Sequence, residues 1–77
     1  MISLYKIENN KGVLYKVENG KIVGNGNYIS VELRGLSTDT KPTTINEKPI
    51  DNGSIFIEID TGKVFLFDAV SETWKEI

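Results

Sequence analysis

The sequence predicts an all-β fold, and three observations carry that prediction. Alanine occurs once, against sixteen valines and isoleucines, six threonines and seven aromatic residues, a composition suited to half-buried, pleated strands. Seven glycines and seven asparagines punctuate the chain with residues that tolerate the backbone of tight turns. Apolar residues are nowhere sustained at helical spacing, whereas short alternating runs bounded by Asn, Asp and Gly recur throughout. With 77 residues, the chain is expected to form one small domain. Three parts follow from the composition: a β-meander over 1–34, an extended Thr/Pro-rich arm over 35–53, and a β-hairpin with a final strand over 54–77.

The first part contains an internal echo, in which Leu4-Tyr5-Lys6-Ile7-Glu8-Asn9 returns as Leu14-Tyr15-Lys16-Val17-Glu18-Asn19. Two copies make a hairpin. A loop Asn10-Lys11-Gly12 with left-handed Gly12 sets Tyr5 opposite Val17 and Ile7 opposite Tyr15, which leaves one face apolar. Asn19-Gly20 is the strongest turn signal, since both residues accept positive φ, and it pairs Glu18 with Lys21 and Val17 with Ile22. Gly24-Asn25-Gly26-Asn27 gives a further turn. Tyr28 to Leu33 then alternates Tyr28, Ser30 and Glu32 against Ile29, Val31 and Leu33, completing a four-stranded meander.

Between Leu36 and Ile50 the chain holds both prolines and four of the six threonines, with Ile45 and Ile50 as apolar anchors. This segment is longer than an ordinary loop. It reads either as an arm lying on its own domain or on a neighbouring subunit, or as a flexible linker.

In the last part, Ile55-Phe56-Ile57-Glu58-Ile59 and Val64-Phe65-Leu66-Phe67 flank Asp60-Thr61-Gly62-Lys63. A type I turn at Asp60-Thr61 followed by left-handed Gly62 pairs Ile59 with Lys63, Ile57 with Phe65 and Ile55 with Phe67. Ile55, Ile57, Phe65 and Phe67 then form the core, while Phe56, Val64 and Leu66 make the opposite face apolar as well. A ribbon apolar on both sides needs cover on both, and homo-oligomerisation is the preferred expectation. Asp68 to Trp74 gives a short turn into a final strand ending near Ile77. Trp74 suits either a core plug or an interface anchor.

The composition narrows the chemistry. Without His or Cys, the commonest general base, the thiol nucleophile and nearly every zinc or haem arrangement are missing, so no enzyme, no cofactor and no metal site is expected. The glycines belong to turns and no helix follows to offer a phosphate site. Asp51-Asn52-Gly53-Ser54 lacks the alternating ligands and distal Glu of a calcium loop. Asp60-Thr61-Gly62 resembles the catalytic triplet of retroviral-type aspartic proteases, but only fifteen residues follow it and Lys63 stands where a small residue is expected, so a turn is the better reading. Nine basic and eleven acidic residues, interspersed to a formal charge of −2, give no stripe for nucleic acid. The longest uninterrupted apolar run, Val64 to Phe67, encodes no membrane span, and the start of the chain has no signal-peptide pattern.

Gly35-Leu36-Ser37-Thr38-Asp39-Thr40-Lys41-Pro42-Thr43, followed by Asn52 to Asp68 with its Gly-Ser-Ile-Phe-Ile-Glu-Ile-Asp-Thr-Gly-Lys stretch and by Trp74, resembles a module of small structural proteins of tailed phages and prophages, the head fibre or tail fibre proteins. The likeness spans residues 35–77. It implies a non-enzymatic role in assembly or display on a virion put together in the bacterial cytoplasm, with a homo-oligomer such as a trimer and the capsid or tail as partners. The expected contact surface is Phe56, Val64, Leu66 and Trp74 with the arm Thr38, Asp39, Thr40, Lys41, Pro42, Thr43 and Thr44. The alternative is a small regulatory module that pairs with a partner's sheet edge.

Overall fold

The structure is a computed structural model that describes residues 1–10, 16–23 and 28–77. Among these residues there is no helix. Nine strands run in chain order: β1 (Ser3–Asn10), β2 (Lys16–Glu18), β3 (Lys21–Val23), β4 (Tyr28–Gly35), β5 (Thr44–Ile45), β6 (Lys48–Pro49), β7 (Ile55–Glu58), β8 (Val64–Asp68) and β9 (Thr73–Glu76). Five of them form one sheet in the order β1-β4-β7-β8-β9, and β2-β3 and β5-β6 are separate two-stranded ribbons. All pairings in the large sheet are antiparallel except β4 with β7.

β4 supplies the longest row of the core, and its alternation is complete. Ile29, Val31, Leu33 and Gly35 are buried, while Tyr28, Ser30, Glu32 and Arg34 are half-exposed on the other face. The buried row meets Phe56 of β7, Phe67 and Ala69 of the β8 side, and Ile50 from the arm.

The expected meander is corrected by this topology. β1 pairs with β4, setting Ile7 opposite Val31 and Glu8 opposite Ser30. Tyr5 does not face Val17; it occupies an irregularity in the ladder between Leu4 and Lys6. β1 and β4 are each eight residues long, so pairing with one another satisfies a long run of their backbone groups. The β2-β3 ribbon lies in the chain between the paired residues Asn10 and Tyr28. It joins Glu18 to Lys21 and Val17 to Ile22 around Asn19 (φ 51°) and Gly20 (φ 76°). The expectations for the Asn10-Lys11-Gly12 loop, for Tyr15, and for the Gly24-Asn25-Gly26-Asn27 turn fall on residues outside those described.

The C-terminal hairpin is shifted by one residue from the expected register. Ile55 pairs with Leu66, Phe56 with Phe65 and Ile57 with Val64. The loop is four residues, Ile59 to Gly62, closed by Glu58 N–H donating to Lys63 O (2.8 Å) and Gly62 N–H donating to Glu58 O (2.8 Å). Ile59 is unavailable to Lys63 because its own N–H donates to Gly35 O (2.8 Å), extending the parallel ladder with β4. Gly62 takes the left-handed conformation, with φ 76°. A single-residue slip exchanges the faces of a strand. Phe56 therefore lies fully inside, with Phe65 and Phe67 on the same face, and Ile55 and Ile57 move to the other side with Val64 and Leu66. The expected core pair Ile55 and Ile57 and the expected surface residue Phe56 have traded places. This register collects the large aromatic rings on the side that is covered, which buries more apolar area than the alternative.

The arm lies on its own chain. Ile50 forms a parallel bridge with Ile29 and is fully buried, and Asp51 N–H donates to Ile29 O (2.7 Å). Between its anchors the arm folds into the β5-β6 ribbon around Asn46 and Glu47, both with positive φ (51° and 67°), the backbone of a tight primed turn. The arm leaves β4 at Gly35, where a Cβ would lie 2.9 Å from Phe56 Cζ and 2.9 Å from Asp39 Oδ2, so only glycine lets the chain turn over the ring.

Candidate interaction face

The two faces of the sheet differ in chemistry. On the covered face, Trp74 of β9 lies opposite Phe67, with ring centroids 4.9 Å apart, and meets Phe56 edge-on at 5.9 Å. Its indole N–H donates to Pro42 O (2.8 Å), which fixes the arm over the rings. Beside it, Lys41 Nζ donates to Glu58 Oε2 (2.7 Å) and stands 4.8 Å and 4.4 Å from the ring centroids of Phe56 and Phe65. Thr61 Oγ1 donates to the other oxygen, Glu58 Oε1 (2.6 Å). Both oxygens of a carboxylate buried on the aromatic face are thus satisfied, as burial of a charge requires. The start of the arm is tied to the hairpin loop in the same way: Ser37 donates to Asp60 through its N–H (2.9 Å) and its hydroxyl (2.6 Å), and Leu36 N–H donates to Asp39 (2.7 Å).

These bonds set the acid response. The Lys41 ammonium foremost, and then the Thr61 hydroxyl, hold Glu58 below its ordinary 4.5. The Ser37 hydroxyl chiefly lowers Asp60, and the Leu36 N–H chiefly lowers Asp39, from 3.8. In the unfolded chain the same groups bind protons more readily, so stability is complete above the ordinary carboxylate values and falls as the pH drops through the lower folded-state ones. The urea midpoint should therefore be lower at about pH 3 than at about pH 6, and Glu58→Gln should flatten that dependence; equal midpoints at the two pH values would refute the linkage.

The opposite face has no segment of the described chain lying over it. Its rows can be read straight across the strands. One runs Lys6, Glu32, Ile55, Leu66, Lys75, and the next runs Ser3, Arg34, Ile57, Val64. An aliphatic patch of Ile55, Ile57, Val64 and Leu66 thus lies between charged margins, with Leu66 37% exposed and the other three half-buried. On the β1 side the margin is organised: Arg34 contacts Glu32 (3.2 Å), its guanidinium lies 3.9 Å from the Tyr5 ring centroid, and Lys6 contacts Glu8 (3.2 Å). A cleft of about 180 Å³ opens there, lined by Lys6, Glu8, Glu32 and Ile55 among others. On the far side Lys75 and Asp68 are 3.9 Å apart.

The residues expected to form one contact surface fall on both sides of the sheet. Val64 and Leu66 lie on the open face. Phe56 and Trp74 lie on the covered face, Phe56 inside the core, so Phe56 presents nothing to a partner. Within the arm, Lys41 and Pro42 are engaged with Glu58 and Trp74, Asp39 holds Leu36, and Thr38, Thr40, Thr43 and Thr44 are exposed. Of the turn residues, Asn19 and Gly20 close β2-β3, while Asp60, Thr61 and Gly62 shape the hairpin loop and hold Ser37 and Glu58. Ile55, Ile57, Tyr5 and Arg34 join the open face without having been expected there; the signal that places the first two is the extra loop residue, Ile59. Among the described residues no three His, Cys, Asp or Glu side chains are grouped to hold a metal ion, and no helix is long and apolar enough to cross a membrane. Comparison with protein-family models, with curated proteins and with solved structures finds no match for this chain.

Proposed function

We propose that this chain is a non-enzymatic structural protein of a phage or prophage virion, a head fibre, capsid-decoration or fibre-assembly module, which self-associates and, through the open face of its sheet, docks on the particle. The observation that carries the reading is the aliphatic patch Ile55, Ile57, Val64 and Leu66, framed by charged rows and left open by the described residues, which fold the arm tightly over the aromatic side. Apolar groups ringed by charge are the ordinary make-up of a protein contact. The likeness of residues 35–77 to head fibre and tail fibre proteins supplies the class of partner, a capsid or tail component. The residues assigned to docking are Ile57, Val64 and Leu66; the exposed threonines Thr38, Thr40, Thr43 and Thr44 lie on the other side and are available to a neighbour there.

The test is co-purification. Tagged chain supplied during phage production in its own host should band with density-purified particles, and the variant Ile57→Asp combined with Leu66→Lys should stay in the soluble fraction while keeping its β-sheet spectrum. Wild-type protein missing from the particles would overturn the virion reading. It would favour the second one, a regulatory module that adds a strand to a partner's sheet, for which the outer edge of the eight-residue β1 is the relevant feature.

A further inference from the structure

Among the described residues, β1 is an edge strand of eight residues whose one ladder partner is β4, and Ser3 to Asn9 are exposed; Leu4 and Ile7 on the covered-face side are 45% and 47% exposed. A long exposed edge is a template for another strand unless the sequence blocks it. Proline is absent from β1, and its irregularity lies between Leu4 and Lys6, leaving Lys6 to Asn10 in regular ladder geometry.

We propose that β1 is a self-pairing edge: two copies of this chain join antiparallel about a two-fold axis at Ile7, continuing the two five-stranded sheets into one of ten. The register follows from parity and charge. Residues opposite one another across antiparallel strands share a face, so in a symmetric pair the two residue numbers must have an even sum. A sum of twelve sets Lys6 against the second copy's Lys6, and a sum of sixteen sets Glu8 against the second copy's Glu8, both like-charge contacts. A sum of fourteen sets Lys6 against Glu8 twice over and Ile7 against Ile7. In that register each Lys6 stands between Glu32 of its own β4 and the Glu8 of the second copy, and the two half-exposed Ile7 side chains cover each other on the opposite face. Opposite charges facing across strands stabilise a pairing and like charges oppose it, and here every charge of the edge is matched by a copy of the same edge. This names the surface behind the self-association in the reading above and rests on that element of it alone; it uses the sheet edge, separate from the docking face.

Charge exchange tests it, read by sedimentation velocity and native mass spectrometry at low salt over a dilution series. Wild type should dimerise. Lys6→Glu alone places acid against acid, and Glu8→Lys alone places base against base, so each should weaken the dimer by at least roughly tenfold. The double variant Lys6→Glu with Glu8→Lys should regain wild-type dimerisation. An equimolar mixture of the two single variants should give the heterodimer in preference to either homodimer, an outcome that also shows both single variants to be folded. Wild type that stays monomeric, single variants that dimerise as tightly as wild type, or a mixture with no preference for the heterodimer would each overturn the proposal; a monomer in isolation would leave the edge to a foreign strand. Ile57→Asp with Leu66→Lys should dimerise normally, so failure to bind particles and failure to pair are read separately.

Discussion

Phe56→Ala should leave little folded protein at elevated temperature. The ring is fully buried between Gly35, Lys41, Phe65 and Trp74, and it stands on the strand that joins the two halves of the sheet. Removing a buried Phe side chain costs about 3–5 kcal/mol, counting both the lost transfer energy and the cavity. A chain of 77 residues has roughly 4–12 kcal/mol in total at typical stability per residue. The melting temperature should fall by on the order of 20 °C, read by circular dichroism or calorimetry. Phe56→Leu, which refills much of the volume, should recover more than half of that loss. A melting temperature for Phe56→Ala within a few degrees of wild type would show that the ring is not in the core, and with it that the hairpin has the other register.

Trp74→Ala has the second largest expected effect, and its size and character identify what the residue does. The side chain packs on Phe67 and Phe56 and donates its one N–H to Pro42 O, so it fastens the arm to the aromatic face. Because it is half-buried, the cost should be about 2–4 kcal/mol, below that of a fully buried ring. Trp74→Phe keeps most of the packing and leaves the Pro42 carbonyl without its donor, for about 1 kcal/mol. Urea midpoints measure both losses. Limited proteolysis supplies the structural readout: cleavage between Leu36 and Ile50 should accelerate more in Trp74→Ala than global destabilisation accounts for, whereas equal protection of the arm at matched stability would show that Trp74 does not hold it.

Much of this architecture was legible in the residues, and the parts that were not share a cause. The alternation of Ile29, Val31 and Leu33 against Ser30 and Glu32 placed β4 correctly, because a strand's faces are written in its own sequence. Asn19-Gly20 and Gly62 announced their turns through the positive φ they accept. The pairing of β1 with β4 was hidden, since the intervening echo offers a plausible local partner and a strand's alternation does not name the strand it pairs with. The one-residue register shift was hidden because it depends on Gly35 O taking the Ile59 N–H and on Lys41 neutralising Glu58 from seventeen residues away. Glu58 and Lys41 read as ordinary surface charges until the fold brings them under the rings. For the candidate surface the consequence was an exchange: Val64 and Leu66 stay on the side of the sheet away from the core, and Phe56 took the position that Ile55 and Ile57 were expected to hold.

The parallel pairing of β4 with β7 also bears on how the protein is made. Residues 28–35 cannot gain their second neighbour strand until residue 58 has been synthesised, and of the rings in the core with Ile29, Val31 and Leu33, those of Phe65, Phe67 and Trp74 come from still later positions. Until then the apolar side of β4 has no cover, and a β1-β4 ribbon by itself is barely stable in water. Collapse to the finished molecule has to wait for release of the last turn, and non-local closure of this kind is slow. During that interval the nascent chain is at its stickiest, with apolar surface exposed that the finished fold covers.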